Sequence, residues 1–162
     1  MENQELRKIY HQTERLTLII LIISLPIFGM VYLYHNSGSI TKDLPELSGF
    51  PNGFLMTFSV TVLVGQYWAF HVYLKKTFAE NQLLEKVKIY AKATSQRFLF
   101  LFVVSICSTI GLLFSGNPFF IVLFAVTLVF FSLAKPSPDR MARLMKLKKE
   151  DRELLREIAR PN

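Results

Sequence analysis

The chain has 162 residues, of which 51% are hydrophobic, and its 19 Lys and Arg outnumber its 12 Asp and Glu to give a formal net charge of +7. Its charges are gathered between long uncharged stretches, a pattern that a water-soluble domain has no reason to adopt. The single cysteine, Cys107, excludes an intrachain disulfide, a paired redox motif and a thiolate metal cluster.

Four stretches carry no Asp, Glu, Lys or Arg: 16–34, 53–74, 98–114 and 119–134, which are 19, 22, 17 and 16 residues long. A helix rises about 1.5 Å per residue, so the first two cross a hydrocarbon layer of about 30 Å and the last two barely do. The expected fold is all-α, a polytopic membrane protein with four transmembrane helices and cytoplasmic amphipathic helices.

Residues 1–15 are polar, with Leu6 and Tyr10 on one helical face. They are expected to form a cytoplasmic helix that runs into the first span. Pro26 lies inside that span, where its missing N–H predicts a kink. The span is longer than a signal core, and Tyr32, Tyr34 and His35 make no small-residue cleavage site, so no cleavable signal peptide is expected. The connection 35–52 is rich in Gly, Pro, Ser and Asn and predicts irregular backbone, with a short interfacial helical turn around Leu44–Leu47.

The second span ends in Tyr67, Trp68 and Tyr73 just before Lys75, where an inner aromatic belt belongs. Thr61, Gly65 and Ala69 form a small-residue stripe along it, and Cys107, Gly111 and Ser115 repeat the spacing in the third span. Such stripes let helix backbones approach closely, so both are expected to be packing faces, with each other or across a dimer. Residues 78–96 contain no Gly or Pro, and Leu84, Val87, Ala91 and Thr94 fall at helical spacing. They predict a cytoplasmic amphipathic helix leading into the third span.

Ser115-Gly116-Asn117-Pro118 then closes a helical hairpin, with Gly116 or Asn117 left-handed and Pro118 opening the next helix. Beyond the fourth span, 135–162 forms a basic amphipathic cytoplasmic tail. Ser137 is the expected N-cap of a helix opened by Pro138 and running through Lys148. Met141, Leu144 and Met145 make its apolar face, among Arg140, Arg143 and Lys146, and Leu154, Leu155 and Ile158 make a second patch. Such a face needs cover, from the inner membrane surface or from the 78–96 helix. Protein packing is favoured, because Leu84 and Val87 also need partners.

The charges give an orientation. Segments 1–15, 75–97 and 135–162 hold 18 of the 19 cations, and 35–52 holds only Lys42. Both termini and the middle connection are therefore expected in the cytoplasm, as short loops rich in Lys and Arg resist translocation. The cationic surplus borders membrane spans, which makes anionic lipid headgroups the simpler partner and argues against nucleic acid.

The runs offer little chemistry. Transporters usually need an ionisable group inside the bilayer, and only Gln66 and His71 stand as polar intramembrane candidates in the second span. His71 lies four residues from Lys75 and can reach the interface, so it reads first as a snorkelling side chain. His35 and His71 sit at opposite faces and cannot share a haem iron, and no metal or cofactor site is expected. No nucleophile, acid–base pair or phosphate loop is recognisable, so no enzymatic activity is expected.

The hairpin S-G-N-P-F-F, the later K-P-S-P-D-R and Arg97 at the head of the third span resemble small four-span inner-membrane proteins of Bacteroidota. That group has no assigned activity, so the resemblance implies a bacterial inner-membrane location and a four-span fold, and transfers no functional residue. Four short spans are also similar to the small multidrug exporters, but those need a glutamate within the first span and this chain has none. The sequence thus leads to an accessory, scaffold or assembly subunit with a membrane-protein partner or a second copy of itself. The alternative is a small oligomeric transporter or channel.

Overall fold

The computed structural model describes residues 2–38, 45 and 49–160, and every regular element among them is helical. Helix α1 runs from Glu2 to Asn36, α2 from Phe50 to Lys75, α3 from Leu83 to Ser115 and α4 from Phe119 to Ala134. Two short helices follow, α5 (Pro138–Leu144) and α6 (Lys149–Ile158). Helices α1, α2 and α3 are long and apolar enough to cross a membrane, and there is a fourth candidate if α4 is counted together with the short helix after it. At 16 residues α4 is about 24 Å long, which is why it falls short by itself. The expected interfacial turn at Leu44–Leu47 lies outside the described residues.

The N-terminal polar segment and the first apolar run form one uninterrupted helix, with Pro26 inside it. The amphipathic helix expected over 78–96 begins only at Leu83. Residues Lys76–Phe78 form a single 3₁₀ turn, and the chain uses the residues up to Gln82 to pass from one helix to the next. From Leu83 the helix continues without a break into the third apolar run.

The chain divides into two compact units. One consists of Ile19–Gln66 and Leu99–Leu133, the apolar runs without their ends. Its outward side chains are large and bare: Ile22, Met30, Leu33, Phe54, Val64 and Val122 are all more than half exposed. Apolar patches of that extent need a hydrocarbon solvent, and only helices satisfy their own backbone there. Inside this unit the Phe28 and Phe124 rings lie parallel with centroids 3.7 Å apart, which joins α1 to α4. A Cβ on Gly111 would collide with the Phe120 ring, so the glycine is what lets α3 and α4 close on each other. Gly116 takes φ +61° in the hairpin, and a Cβ there would strike the His35 ring. Asn117 completes the turn by accepting the Phe119 amide on Oδ1 at 2.9 Å.

The other unit consists of Met1–Leu18, Tyr67–Phe98 and Ala134–Asn162. Its core joins Leu6 and Tyr10 of α1, Phe70 and Leu74 of α2, Val87 and Tyr90 of α3, Met141 and Met145 near α5, and Leu155 and Ile158 of α6. Val87 is fully buried, and Tyr90, Met145 and Leu155 are each 1% exposed. The apolar faces of the tail and of the residues before the third run thus cover one another. Arg7 donates to the Arg160 carbonyl at 2.9 Å, and Lys88 bridges Glu5 and Glu85 at 3.1 Å each, along the rim of that core.

The two glycines of the small-residue stripes differ in their surroundings. Gly111 is buried against Phe120, whereas a Cβ on Gly65 meets nothing within 4 Å. Gly111→Leu should therefore destabilise the protein by about 1–3 kcal/mol, the usual cost of overpacking. Gly65→Leu should change the stability of the protomer by less than about 0.5 kcal/mol, as at any open site. Thermal unfolding in detergent at low protein concentration checks both, and a large loss at Gly65 would mean that the stripe is covered by a second chain.

Candidate functional site

Of the residues singled out from the sequence, Thr61 and Gly65 lie on the open side of α2 and Ala69 is half-buried. Gly111 is buried on α3, with Cys107 and Ser115 half-buried beside it and the Cys107 thiol near the Ser59 hydroxyl. Gln66 is 1% exposed and belongs to the apolar unit. His71 belongs to the other, half-buried, with Nδ1 2.9 Å from the Tyr67 carbonyl and its ring centroid 4.2 Å from that of Tyr67.

Inside the apolar unit most of the described buried hydroxyls are engaged locally, although the Ser105 hydroxyl is buried without a hydrogen-bond partner. Ser24, Ser59, Ser108, Thr109 and Thr127 each donate to the carbonyl four residues earlier on the same helix, at 2.7–2.9 Å. A hydroxyl in hydrocarbon needs such a bond, because an unmade one costs roughly 1–3 kcal/mol. The carbonyls are already helix acceptors and take a second donor. These five groups settle their own desolvation.

The chemistry-bearing surface is elsewhere, at the junction of α5 and α6. Ser137 is the N-cap of α5, extended at φ −137° and ψ 151°, and its Oγ accepts the Arg140 amide at 3.4 Å. The helix then ends after two turns. Leu147 N–H donates to the Ala142 carbonyl at 2.9 Å and Lys146 N–H to Arg143 at 3.3 Å, the paired bonds of a Schellman cap. Lys146 occupies the left-handed position of that cap at φ +51°, where glycine is usual, a conformation that costs a side-chain-bearing residue about 1 kcal/mol or more. The turn lets α6 fold back, and Arg152 and Arg156 both donate to Asp139 Oδ1, Arg152 Nη2 at 3.1 Å and Arg156 Nη2 at 2.7 Å.

A cleft of about 580 Å³ opens between the two helices, lined by Ser137, Asp139, Arg140, Arg143, Lys146 and Arg152 among others. Asp139 is its one carboxylate, and that group is shared by Arg152 and Arg156. Among the described residues no carboxylate lies within ion-pair distance of Arg140, Arg143 or Lys146. The Lys146 ammonium instead stands over the Phe78 ring, 5.1 Å from its centroid. Arg140 also places its charge near Arg97, which is 5% exposed with its guanidinium 5.0 Å from the Phe70 centroid. The result is an excess of positive charge on a folded surface.

Sequence reasoning found the cap at Ser137 and the basic residues of the tail, but not the cleft, because it carried a single helix through Lys148. The available signal was the i, i+3, i+6 spacing of Arg140, Arg143 and Lys146. No family model, curated protein or solved structure matches the chain.

The bonds from Arg156 and Arg152 hold the Asp139 carboxyl below the usual aspartate range. A carboxyl depressed on folding stabilises the fold above its unfolded pKa, and that contribution is lost as pH falls through the depressed value. Asp139→Asn should therefore speed amide exchange in Lys149–Ile158 at neutral pH. The difference from the wild type should shrink below about pH 4, where the carboxylate begins to take up protons. Exchange rates corrected for their intrinsic pH dependence check this, and equal protection at neutral pH would show that the two arginine bonds do not hold α6.

Proposed function

We propose that this chain is a non-catalytic integral inner-membrane protein that presents a folded basic cytoplasmic unit to a membrane-protein partner or to a second copy of itself, as an accessory, scaffold or assembly subunit. In this reading it has four spans, near 16–34, 53–74, 98–114 and 119–134, with both termini and 75–97 in the cytoplasm. The helices built on 83–96 and 138–158 are its cytoplasmic amphipathic elements. Anionic headgroups flank them, and nucleic acid has no part.

One observation carries the reading: most described buried hydroxyls of the apolar unit, Ser105 excepted, are bonded to their own helices, while the unit formed by the polar segments has a packed core and an exposed basic surface. A polar pathway needs side chains that turn toward water, and a scaffold needs a rigid face outside the hydrocarbon. The alternative, a small oligomeric transporter or channel, requires water to reach Gln66. At 1% exposure Gln66 offers no opening in the protomer, which favours the scaffold.

Two experiments test the proposal. In a Cys107→Ala background, cysteine placed at Ser39 should react with an impermeant thiol reagent in intact cells and cysteine at Asn81 should not. The reverse pattern would overturn the orientation. Purification from the native membrane in mild detergent, followed by mass spectrometry, should yield a membrane protein in fixed stoichiometry or a homo-oligomer. A monodisperse monomer that carries solute flux in proteoliposomes would overturn the scaffold reading in favour of transport.

A further inference from the structure

The cleft between α5 and α6 combines three features that point to a ligand. It is a concave site of about 580 Å³, large enough for a phosphate group and part of what that group is attached to. Its wall carries Arg140, Arg143 and Lys146, with no carboxylate in ion-pair reach among the described residues, while the single acid of the cleft is held by Arg152 and Arg156. Third, Lys146 keeps the left-handed cap position that glycine would occupy without strain. A strained backbone position that holds a cation at the edge of a basic cleft suits a residue retained for its side chain.

We infer that this cleft binds a phosphate group, with Arg140, Arg143 and Lys146 as its donors. Guanidinium groups present paired N–H donors that match phosphate oxygens, and a lysine adds a mobile point charge. Asp139 acts as the counterweight that fixes the far wall: by taking two arginines of α6 it sets the width of the cleft and leaves the charge of α5 for a ligand. The phosphate has two possible sources, an anionic lipid headgroup or a soluble phosphate. Ser137 follows the last residue of α4 by three positions, so the chain between them spans at most about 10 Å. The cleft is therefore tethered close to the end of an apolar helix, within reach of headgroups if the proposed topology holds. Phosphate binding itself does not depend on that topology or on the scaffold reading.

The test uses the full chain in phosphatidylcholine nanodiscs, with inorganic phosphate as one probe and phosphatidylglycerol, doped into the discs or retained in native mass spectrometry, as the other. Saturable binding of inorganic phosphate identifies a soluble source, and stoichiometric retention of phosphatidylglycerol without phosphate binding identifies a lipid source; either supports the site. Arg143→Gln with Lys146→Gln should weaken the probe that binds by about tenfold or more, as expected for losing charge-assisted bonds. Lys148→Gln with Lys149→Gln removes the same charge outside the lining and should change binding by no more than about twofold, as for screened surface charge. Lys146→Gly relieves the cap, so it should melt no lower than the wild type and still bind more weakly, which separates loss of a donor from loss of folding. The inference is overturned if neither probe binds, if the Lys148/Lys149 pair of substitutions costs as much as the Arg143/Lys146 pair, or if Lys146→Gly binds like the wild type.

Discussion

Leu6, Tyr10, Val87, Tyr90, Met141, Met145, Leu155 and Ile158 come from three stretches that are far apart in sequence, the start of α1, the start of α3 and the C-terminal tail, and they share one buried cluster. The two short helices of the tail could not hold their structure alone. Helices α5 and α6 have 7 and 10 residues, well below the length at which an isolated helix is stable in water. Burying an aliphatic or aromatic side chain contributes roughly 1.5–3 kcal/mol against the entropy of ordering it, and a shared cluster lets each element benefit from all the others. The salt bridges of Lys88 and Asp139 lie on the exposed rim of this unit, where solvent screening leaves an ion pair little net stabilisation. They select the register of helices that apolar contact has already gathered.

The apolar unit follows a different rule. Its outward residues gain nothing from packing because hydrocarbon surrounds them, so association rests on shape and on satisfying polar groups. The Phe28–Phe124 stack supplies the first, and Gly111 supplies it again by letting the Phe120 ring reach the α3 backbone. Ser24, Ser108 and Thr127 meet the second requirement by bonding within their own helices. A bundle arranged in this way can seal itself, and the chain's positive charge is left to the unit that the polar segments form.

Much of this was legible in the residues, for identifiable reasons. The apolar runs mark long helices because hydrocarbon admits no other backbone, and Gly116 and Ser137 mark their turns because a left-handed cap and an N-cap each demand a narrow set of residues. The mutual cover of the tail and the residues around Val87 followed from two apolar faces that both lacked partners. The start of α3 at Leu83 was not legible, since the residues from Phe78 to Gln82 contain no helix breaker and yield only to the need to reverse the chain. The break between α5 and α6 was hidden too. Lys146 gives no local sign of a left-handed turn, and the cap forms because Met145 and Leu155 are buried on either side of it. Gly65 and Gly111 look alike in sequence, and only the position of Phe120 separates them.

The central claim is that apolar contact with the rest of the chain, and not attraction to a charged membrane surface, holds the basic tail in place. Amide hydrogen exchange on the full protein in phosphatidylcholine nanodiscs, at low and at high salt, tests it directly. The account predicts slow exchange through Met141–Met145 and Leu155–Ile158 in this neutral lipid, with little change on adding salt, since dispersion and burial are not screened. Rapid exchange throughout the tail, or protection that appears only with anionic lipid and disappears in salt, would contradict it.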